Sequence, residues 1–320
     1  MEHYPIREVA SGLGFIEGPM ELPDGRILFT DVGAGWLMTV DPASGEVAKF
    51  AETKGGPNAA AIGPDGYYYV CNNGGLGMSK SPRGYTLPIA GSHGDQPIAA
   101  CIQRVSPDGK VVTMLYSECN GVPLVAPNDL VFDSSGGFYF TDTGHPHGRD
   151  ADLGGLYYAK ADGSSIVELI HEAAPHAPLT QPNGCGLSPD GNRVYVAETG
   201  SGRLWYWNIE SPGKLTATPE AFSANGAVFL YGMDGYNFFD SLAVDSAGNV
   251  CVATIMKGGI SVVTPEGQLK DFIPLPVYDP FPTNICFAGD GLRKAYVTAA
   301  GTGRIYEIAW PQAGLALNNS

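Results

Sequence analysis

Six oxygen-bearing side chains recur at the head of six similar stretches of this chain: Glu17, Asn58, Asn128, Asn183, Asp240 and Asn284. None offers sulfur or imidazole. Two are carboxylates, and negative charges brought together in a partly buried space repel unless a cation lies between them. Oxygen donors of mixed charge suit a hard ion such as Ca²⁺ or Mg²⁺. A single Asn behind a proline, as in APND at residues 126–129, more commonly caps a turn entering a strand. A set of six aimed at one point favours a bound ion over caps, so the question becomes which elements carry them.

Each anchor opens the same pattern of short apolar strand, Gly-containing turn and second strand. EGPMELPDGRILFTD begins at Glu17, NAAAIGPDGYYYVCN at Asn58, NDLVFDSSGGFYFTD at Asn128, NGCGLSPDGNRVYVAE at Asn183, DSLAVDSAGNVCVAT at Asp240 and NICFAGDGLRKAYVTA at Asn284. From anchor to the end of the second strand the offset is 14 residues in four units and 15 in the other two. The anchors lie 41, 70, 55, 57 and 44 residues apart, a repeat of about 53 residues that matches propeller blades. Most units supply two more strands, such as WLMTVD and EVAKFAE in the first, GLYYAK and SIVELIHE in the third, and RLWYWNI with a weaker LTATPEAF in the fourth. The sixth supplies only RIYEIAW, while YPIREVA is spare at the start. With 44 glycines and 25 prolines the chain is rich in turns, and no long stretch has helical periodicity. The pattern predicts an all-β six-bladed propeller, a single domain over residues 1–320, closed by the N-terminal strand in the last blade. Innermost strands of such a ring run along its channel, which puts all six anchors at one mouth. A β-sandwich or a pair of small barrels would not explain six repeats with one strand to exchange.

The motifs FIEGP, PNDLVFD, QPNGCGLSPDG and DSLAVDSAGNVCVAT, in this order and at blade spacing, give the chain a resemblance to the family of senescence-marker-protein-30, gluconolactonase and related lactonases, with diisopropyl-fluorophosphatase as a cousin. The resemblance implies a divalent metal in the channel held by Glu17, Asn183 and Asp240, with Asn128 as fourth ligand or substrate contact. It implies one ion, Ca²⁺ first and Zn²⁺, Mg²⁺, Mn²⁺ or Fe²⁺ as others such sites accept. The implied reaction is hydrolysis of lactones, or of phosphorus–fluorine esters in the cousin group. One departure bears on substrate. The sugar lactonases carry an arginine two residues before the Asn matching Asn128, and here that position is Ala126. Residues expected near the rim are apolar or aromatic: Trp36, Tyr236, Phe238, Phe239, Tyr278 and Phe281. A small, relatively apolar lactone or cyclic carbonyl compound is therefore the expected substrate.

Asp240, acidic and on the axis, is the expected general base toward an attacking water. Asn58, Asn128, His145, Tyr236 and Phe281 are the expected substrate contacts. His145 and His147, in TDTGHPHGRD, follow the second strand of the third unit, where an imidazole can shuttle a proton near neutral pH. No GxSxG, HExxH or P-loop is present, so a serine nucleophile is not supported. Two rival readings keep the fold. In one, Asp240 is a nucleophile on phosphorus. In the other, the propeller is non-catalytic and its ion structural, although such a scaffold needs no acidic residues at the channel mouth.

The formal charge of −15 argues against nucleic acid or an anionic membrane as partner. The partner expected is a small-molecule substrate, with oligomeric state open. No run approaches a membrane span, and MEHYPIREVA lacks the layout of a signal peptide. Six scattered cysteines without a CxxC pair read as reduced thiols of a cytoplasmic protein. The longest interval holds a Gly/Ser/Pro-rich connection over residues 72–97, long enough to be a lid, a pocket wall or a tolerated insertion.

Overall fold

The hairpin headed by Asn128 illustrates how each unit forms. Asp133 Oδ1 accepts the backbone N–H groups of Ser135 at 2.8 Å and Gly137 at 3.1 Å, and Gly136 takes the left-handed conformation at φ 80°. An Asx-type turn of this kind reverses the chain in a few residues. It brings Leu130 opposite Phe140 and Phe132 opposite Phe138, and such cross-strand pairs stabilise a sheet by about 0.2–1 kcal/mol each.

The computed structural model describes the chain except for residues 1–3, 90–91, 148, 172–178, 217–218, 220, 222–224 and 320. Six antiparallel sheets form a six-bladed β-propeller. Blade 1 comprises Ile16–Glu21, Ile27–Asp31, Trp36–Val40 and Val47–Glu52, and blade 2 Pro57–Ile62, Tyr68–Asn72, Cys101–Val105 and Val112–Tyr116. Blade 3 comprises Pro127–Phe132, Gly137–Asp142, Gly155–Lys160 and Ile166–His171, and blade 5 Phe238–Val244, Val250–Ile255, Gly259–Val263 and Leu269–Pro274. The core lies between blades. Tyr69 and Cys71 of blade 2, for example, pack in one cluster with Phe132, Phe138 and Phe140 of blade 3. All six cysteines are free and buried. No helix among the described residues is long and apolar enough to cross a membrane.

Blade 4 departs from the sequence expectation. After Pro182–Leu187 and Arg193–Glu198, its third strand, Arg203–Ser211, runs for nine residues. The stretch expected to form the fourth strand contributes only Lys214–Thr216, which turns back at Gly213 (φ 73°) and covers the far half of that strand. The near half is covered by Val228–Gly232, from Arg203 opposite Gly232 to Tyr206 opposite Val228. Three residues cannot shield a nine-residue edge, so a second segment completes it. The rest of LTATPEAF lies largely outside the described residues.

Blade 6 takes Pro282–Ala288, Lys294–Ala299 and Arg304–Ala309 from one end of the chain and Ile6–Ser11 from the other. Ile6 pairs with Ile308 and Ser11 with Arg304, across a bulge between Glu8 and Ala10. Val9 and Ala10 are buried, and the Tyr4 ring rests 5.3 Å from that of Trp310. Without this strand Arg304–Ala309 would be an open edge. Deleting residues 1–11 is expected to cost at least about 3 kcal/mol, from the burial of Val9 and the lost ladder bonds. Thermal melting of the truncated protein checks this, and a midpoint equal to that of the full chain would contradict the account.

Candidate active site

The anchors do not precede the innermost strands, as the repeat suggested, but occupy their second or third residues. Pairing between the first and second strands is broken there in every blade. The register shifts fall between Glu17 and Met20, Pro57 and Ala59, Pro127 and Leu130, Pro182 and Cys185, Phe239 and Leu242, and Pro282 and Asn284. A bulge re-aims side chains that a regular strand would send into the blade-to-blade packing. Here it accompanies the turn of the anchors toward the axis.

Two features that recur in several blades hold these bulges in place. The polar residue that ends the second strand accepts N–H groups from the loop entering its own blade. Asp142 takes Val125 and Ala126, both at 2.8 Å, Glu198 takes Leu179 at 2.6 Å and Thr180 at 2.5 Å, and Asn72 takes Gly56 at 2.9 Å. Threonines then tie adjacent blades: the hydroxyls of Thr30, Thr199 and Thr283 donate to the carbonyls of Asn58 (2.8 Å), Phe239 (2.6 Å) and Ile16 (2.9 Å). Close approach also demands glycine. A Cβ on Gly184 would lie 2.6 Å from Ser241 Cα and Leu242 N, and one on Gly18 (φ 48°) 2.8 Å from Ala59 Cα.

The side chains form one electrostatic unit. Asn284 Nδ2 donates to Glu17 Oε2 at 2.8 Å, and the same oxygen accepts Gly18 N at 2.5 Å. Asn183 hydrogen-bonds the Asp240 carboxyl. Asp129, which sequence reasoning passed over, joins three blades: it accepts Leu130 N at 2.8 Å, Cys185 N at 3.1 Å and Ser241 Oγ at 3.2 Å. Ser241 Oγ also lies 3.2 Å from Asn183 Oδ1, so its single proton serves one acceptor at a time. The residue after the anchor is small or apolar in four units (Gly18, Ala59, Gly184, Ile285) and polar only here, as Asp129 and Ser241. That was the available signal.

Burial pushes the Glu17 carboxyl well above the usual range, and the charge of Asp240 adds to it, against hydrogen bonds from Asn284 and Gly18. Burial likewise raises Asp240, opposed by the bond from Asn183 and reinforced by the charge of Asp129. Asp129 itself is pushed up to about 7 by burial. None of the ion pairs among the described residues involves these three carboxyls. Glu17 Oε1 and Asn128 Oδ1 are moreover buried without any hydrogen-bond partner. Orphaned buried acceptors are rare in native proteins. No group of three or more His, Cys, Asp or Glu among the described residues is arranged to hold a metal; the donors here are carboxylate and amide oxygens together. Such a set, rich in oxygen acceptors and without a basic partner, fits a divalent cation.

The other expected contacts separate. Asn58 is buried and its carbonyl takes the Thr30 bond. His145 is half-buried beside Asp142, whose carboxyl burial raises, and the His145 carbonyl accepts Asp152 N at 2.8 Å. The side chain of His147 lies outside the described residues. Phe281 packs edge-on against Phe15 at 6.0 Å, on the blades 6 and 1 side of the mouth. Tyr236 is 76% exposed and leans on Phe238 at 4.8 Å. Phe239, expected at the rim, is instead fully buried in the core between blades 4 and 5, because the bulge points Asp240 at the axis and its neighbour away. Trp36 is covered by Lys49 at 4.2 Å, and the Tyr278 hydroxyl donates to Met256 O at 2.9 Å. A cavity of about 1070 Å³ occupies the other half of the channel, with Asp129 and Asn284 at its inner end and residues 315–318 across its far mouth. It lies on the side away from Phe15 and Phe281 and is lined mainly by inner-strand residues such as Met20, Leu130, Leu242 and Ile285.

Known proteins share this fold and, in part, this sequence. A gluconolactonase of Zymomonas mobilis is 26% identical over 321 residues, 92% of this chain and 79% of that protein. The lactonase drp35 of Staphylococcus epidermidis is 30% identical over 258 residues, 80% of this chain and 68% of that protein. Among solved structures, a gluconolactonase of Xanthomonas campestris superposes with a TM-score of 0.72 at 20% identity, covering 96% and 89% of the two chains. The calcium-binding protein regucalcin of Agrobacterium tumefaciens does so with 0.72 at 17%, covering 98% of each. Residues 15–301 match the model of the SMP-30/gluconolactonase/LRE-like region, and the chain belongs to that family.

Proposed function

We propose that the protein is a lactonase that works with one divalent cation held by Glu17, Asn128, Asn183 and Asp240. The observation that carries this reading is the pair of orphaned acceptors, Glu17 Oε1 and Asn128 Oδ1, beside three buried carboxyls without a basic partner. The names of the lactonase relatives support the reaction, and the calcium-binding neighbour supports Ca²⁺ as the ion. When bound, a divalent cation supplies electrophilic stabilisation of charge that develops on a carbonyl oxygen. Asp240 takes the proton of an attacking water at its carboxylate as the water oxygen bonds to the lactone carbonyl carbon. The ring C–O bond then breaks, and the proton passes from Asp240 to the departing alkoxide, which leaves a hydroxy acid. Asp240 must be ionised for the first step. Because burial and Asp129 hold its pKa up, it needs positive charge at its side to act at neutral pH. Asn183 and Asn284 fix the orientation of Asp240 and Glu17 through their amide donors. Metal analysis of the purified protein, followed by a pH-indicator screen of aliphatic, aromatic and sugar lactones, tests the whole reading.

Asp240→Asn keeps an oxygen donor but loses the base. It is expected to retain metal while turnover falls roughly 10²–10⁴-fold, whereas Glu17→Gln mainly weakens metal binding. Full metal occupancy with near-normal hydrolysis in Asp240→Asn would remove Asp240 from the chemistry.

Ala126, buried with its N–H held by Asp142, offers no side-chain donor to a sugar hydroxyl. A buried hydroxyl without a partner costs about 1–3 kcal/mol. Aldonolactones should therefore be hydrolysed about ten- to a hundredfold more slowly per stranded group than lactones without hydroxyls. Faster turnover of gluconolactone would refute this substrate class.

The raised carboxyls also set the pH dependence of the chelated protein. A carboxyl whose pKa is higher in the folded state keeps its proton better there, so stability is fullest below about pH 4 and is lost as pH rises through the folded value. For Asp129 that window runs from about 4 to about 7, with a span of up to about 4 kcal/mol. In chelator, Asp129→Asn is expected to lose less stability than the parent between pH 5 and pH 7.5. Parallel melting curves for the two proteins would show that Asp129 is not raised.

A further inference from the structure

The long connection of blade 2 is a built element rather than a tolerated insertion. It carries a small hairpin, Met78–Lys80 against Thr86–Pro88, with Met78 opposite Pro88 and Lys80 opposite Thr86. Its root is pinned at the end of the second strand, where Asn72 Oδ1 accepts Gly74 N and Asn73 Oδ1 accepts Gly75 N, both at 3.0 Å. Its far end reaches blade 6, on the other side of blade 1. Thr86 N donates to Gly301 O of blade 6 at 2.8 Å, and the Tyr85 ring meets Tyr278 at 6.4 Å. Between these supports Met78 passes so close to blade 1 that a Cβ on Gly33 would sit 3.0 Å from Met78 Cγ. The hairpin thus runs from blade 2 past blade 1 to blade 6, at the end of the ring where the anchors lie.

On the way it completes an apolar cluster. Phe15, Val32 and Ala300 are buried there, and Leu76, Met78 and Phe281 pack on them while remaining partly open. The cluster stands directly over the charged set. Phe15 precedes Glu17 by two residues on the same strand path, about 7 Å along it, and Phe281 precedes Asn284, the partner of Glu17, by three. Both stand beside the register shifts, between Glu17 and Met20 and between Pro282 and Asn284, at which the two hydrogen-bonded groups leave the regular ladder. An apolar wall that stays partly open one layer above two hydrogen-bonded polar groups is suited to a ligand with a polar head and a hydrocarbon arm.

We propose that Leu76 and Met78 of the hairpin, with Phe15 and Phe281, form a subsite for an aliphatic substituent on the lactone ring, and that Met78 is its specificity-determining residue. The proposal rests on the lactonase reading above and names the substrate class within it. An unbranched, polarizable methionine adapts to a flexible alkyl chain better than a rigid wall does. Each methylene taken from water adds about fourfold to kcat/KM.

The test is a homologous series of 4-alkyl γ-lactones, from methyl to hexyl, with the metal-loaded parent protein, Met78→Ala and Met78→Asp. Thermal melting confirms that the variants fold, and Met78→Ala keeps the test open if Met78→Asp does not. The binding of hexanoate, octanoate and decanoate by calorimetry supplies a readout independent of turnover. The parent should favour hexyl over methyl by at least about a hundredfold, and Met78→Asp should cut that ratio at least tenfold, with Met78→Ala between them. Carboxylate affinity should show the same dependence on chain length and on residue 78. Hydrolysis with a ratio unmoved by either variant would overturn the subsite and leave the lactonase reading standing. Chain-length-dependent binding lost in Met78→Asp, with no lactone hydrolysed, would keep the subsite and overturn the lactonase reading. Failure of both measurements would overturn both.

Discussion

The pairing of Ile6–Ser11 with Arg304–Ala309 closes the ring, and the candidate site exists only because the ring closes. Glu17 belongs to the first blade and Asn284 to the sixth, and their 2.8 Å hydrogen bond crosses the seam. So does the bond from Thr283 to the carbonyl of Ile16, at 2.9 Å. Phe15 and Phe281 meet across the same line. A strand that touches no substrate therefore fixes the relative position of two polar groups on the axis. In an open ring the blades would splay, and the anchors would become six unrelated turn residues.

Closure creates an electrostatic problem along with the site. It gathers Glu17, Asp129 and Asp240 where burial raises all three carboxyls. Bulges at the head of every inner strand add to the cost by removing ladder hydrogen bonds. The fold spreads these costs over repeated supports, with a polar residue at the end of the second strand holding the entry loop and a threonine tying one blade to the next. Strain and unpaired charge concentrated in one place while the surroundings over-determine the geometry is the usual mark of a site that does chemistry.

Much of this was legible in the sequence because propeller blades are local. Each hairpin announces itself through apolar runs and Gly turns, and the anchor offset of 14 or 15 residues matches five of the six observed strand ends, with Thr254 one residue short of Ile255 in the fifth blade. The seam was legible by counting strands. What escaped depended on contacts between blades. Asp129 looks like an ordinary strand neighbour of Asn128, and only the approach of Cys185 and Ser241 from two other blades makes it a staple. Phe239 was placed at the rim because sequence does not reveal which side of a bulge faces the axis. The edge of blade 4 escaped because Val228–Gly232 returns from beyond the segment that sequence order would pair. The hairpin at Met78 lacks the alternation of a core strand, and its path over blade 1 is set by Gly33 and Gly301, far away in sequence.

The seam also has a timetable. Ile308 is made some 302 residues after its partner Ile6, which at about 5–20 residues per second is about 15–60 s of translation. Throughout that time Ile6–Ser11 is a strand without a sheet, and blades 1 to 5 form beside an open edge. The nascent chain therefore spends its synthesis exposed to strand addition from other chains, a hazard of unpaired edges. Glu8 and Arg7 on this strand, charged and turned outward until they meet Arg304 and Glu307, are suited to keeping it soluble while it waits.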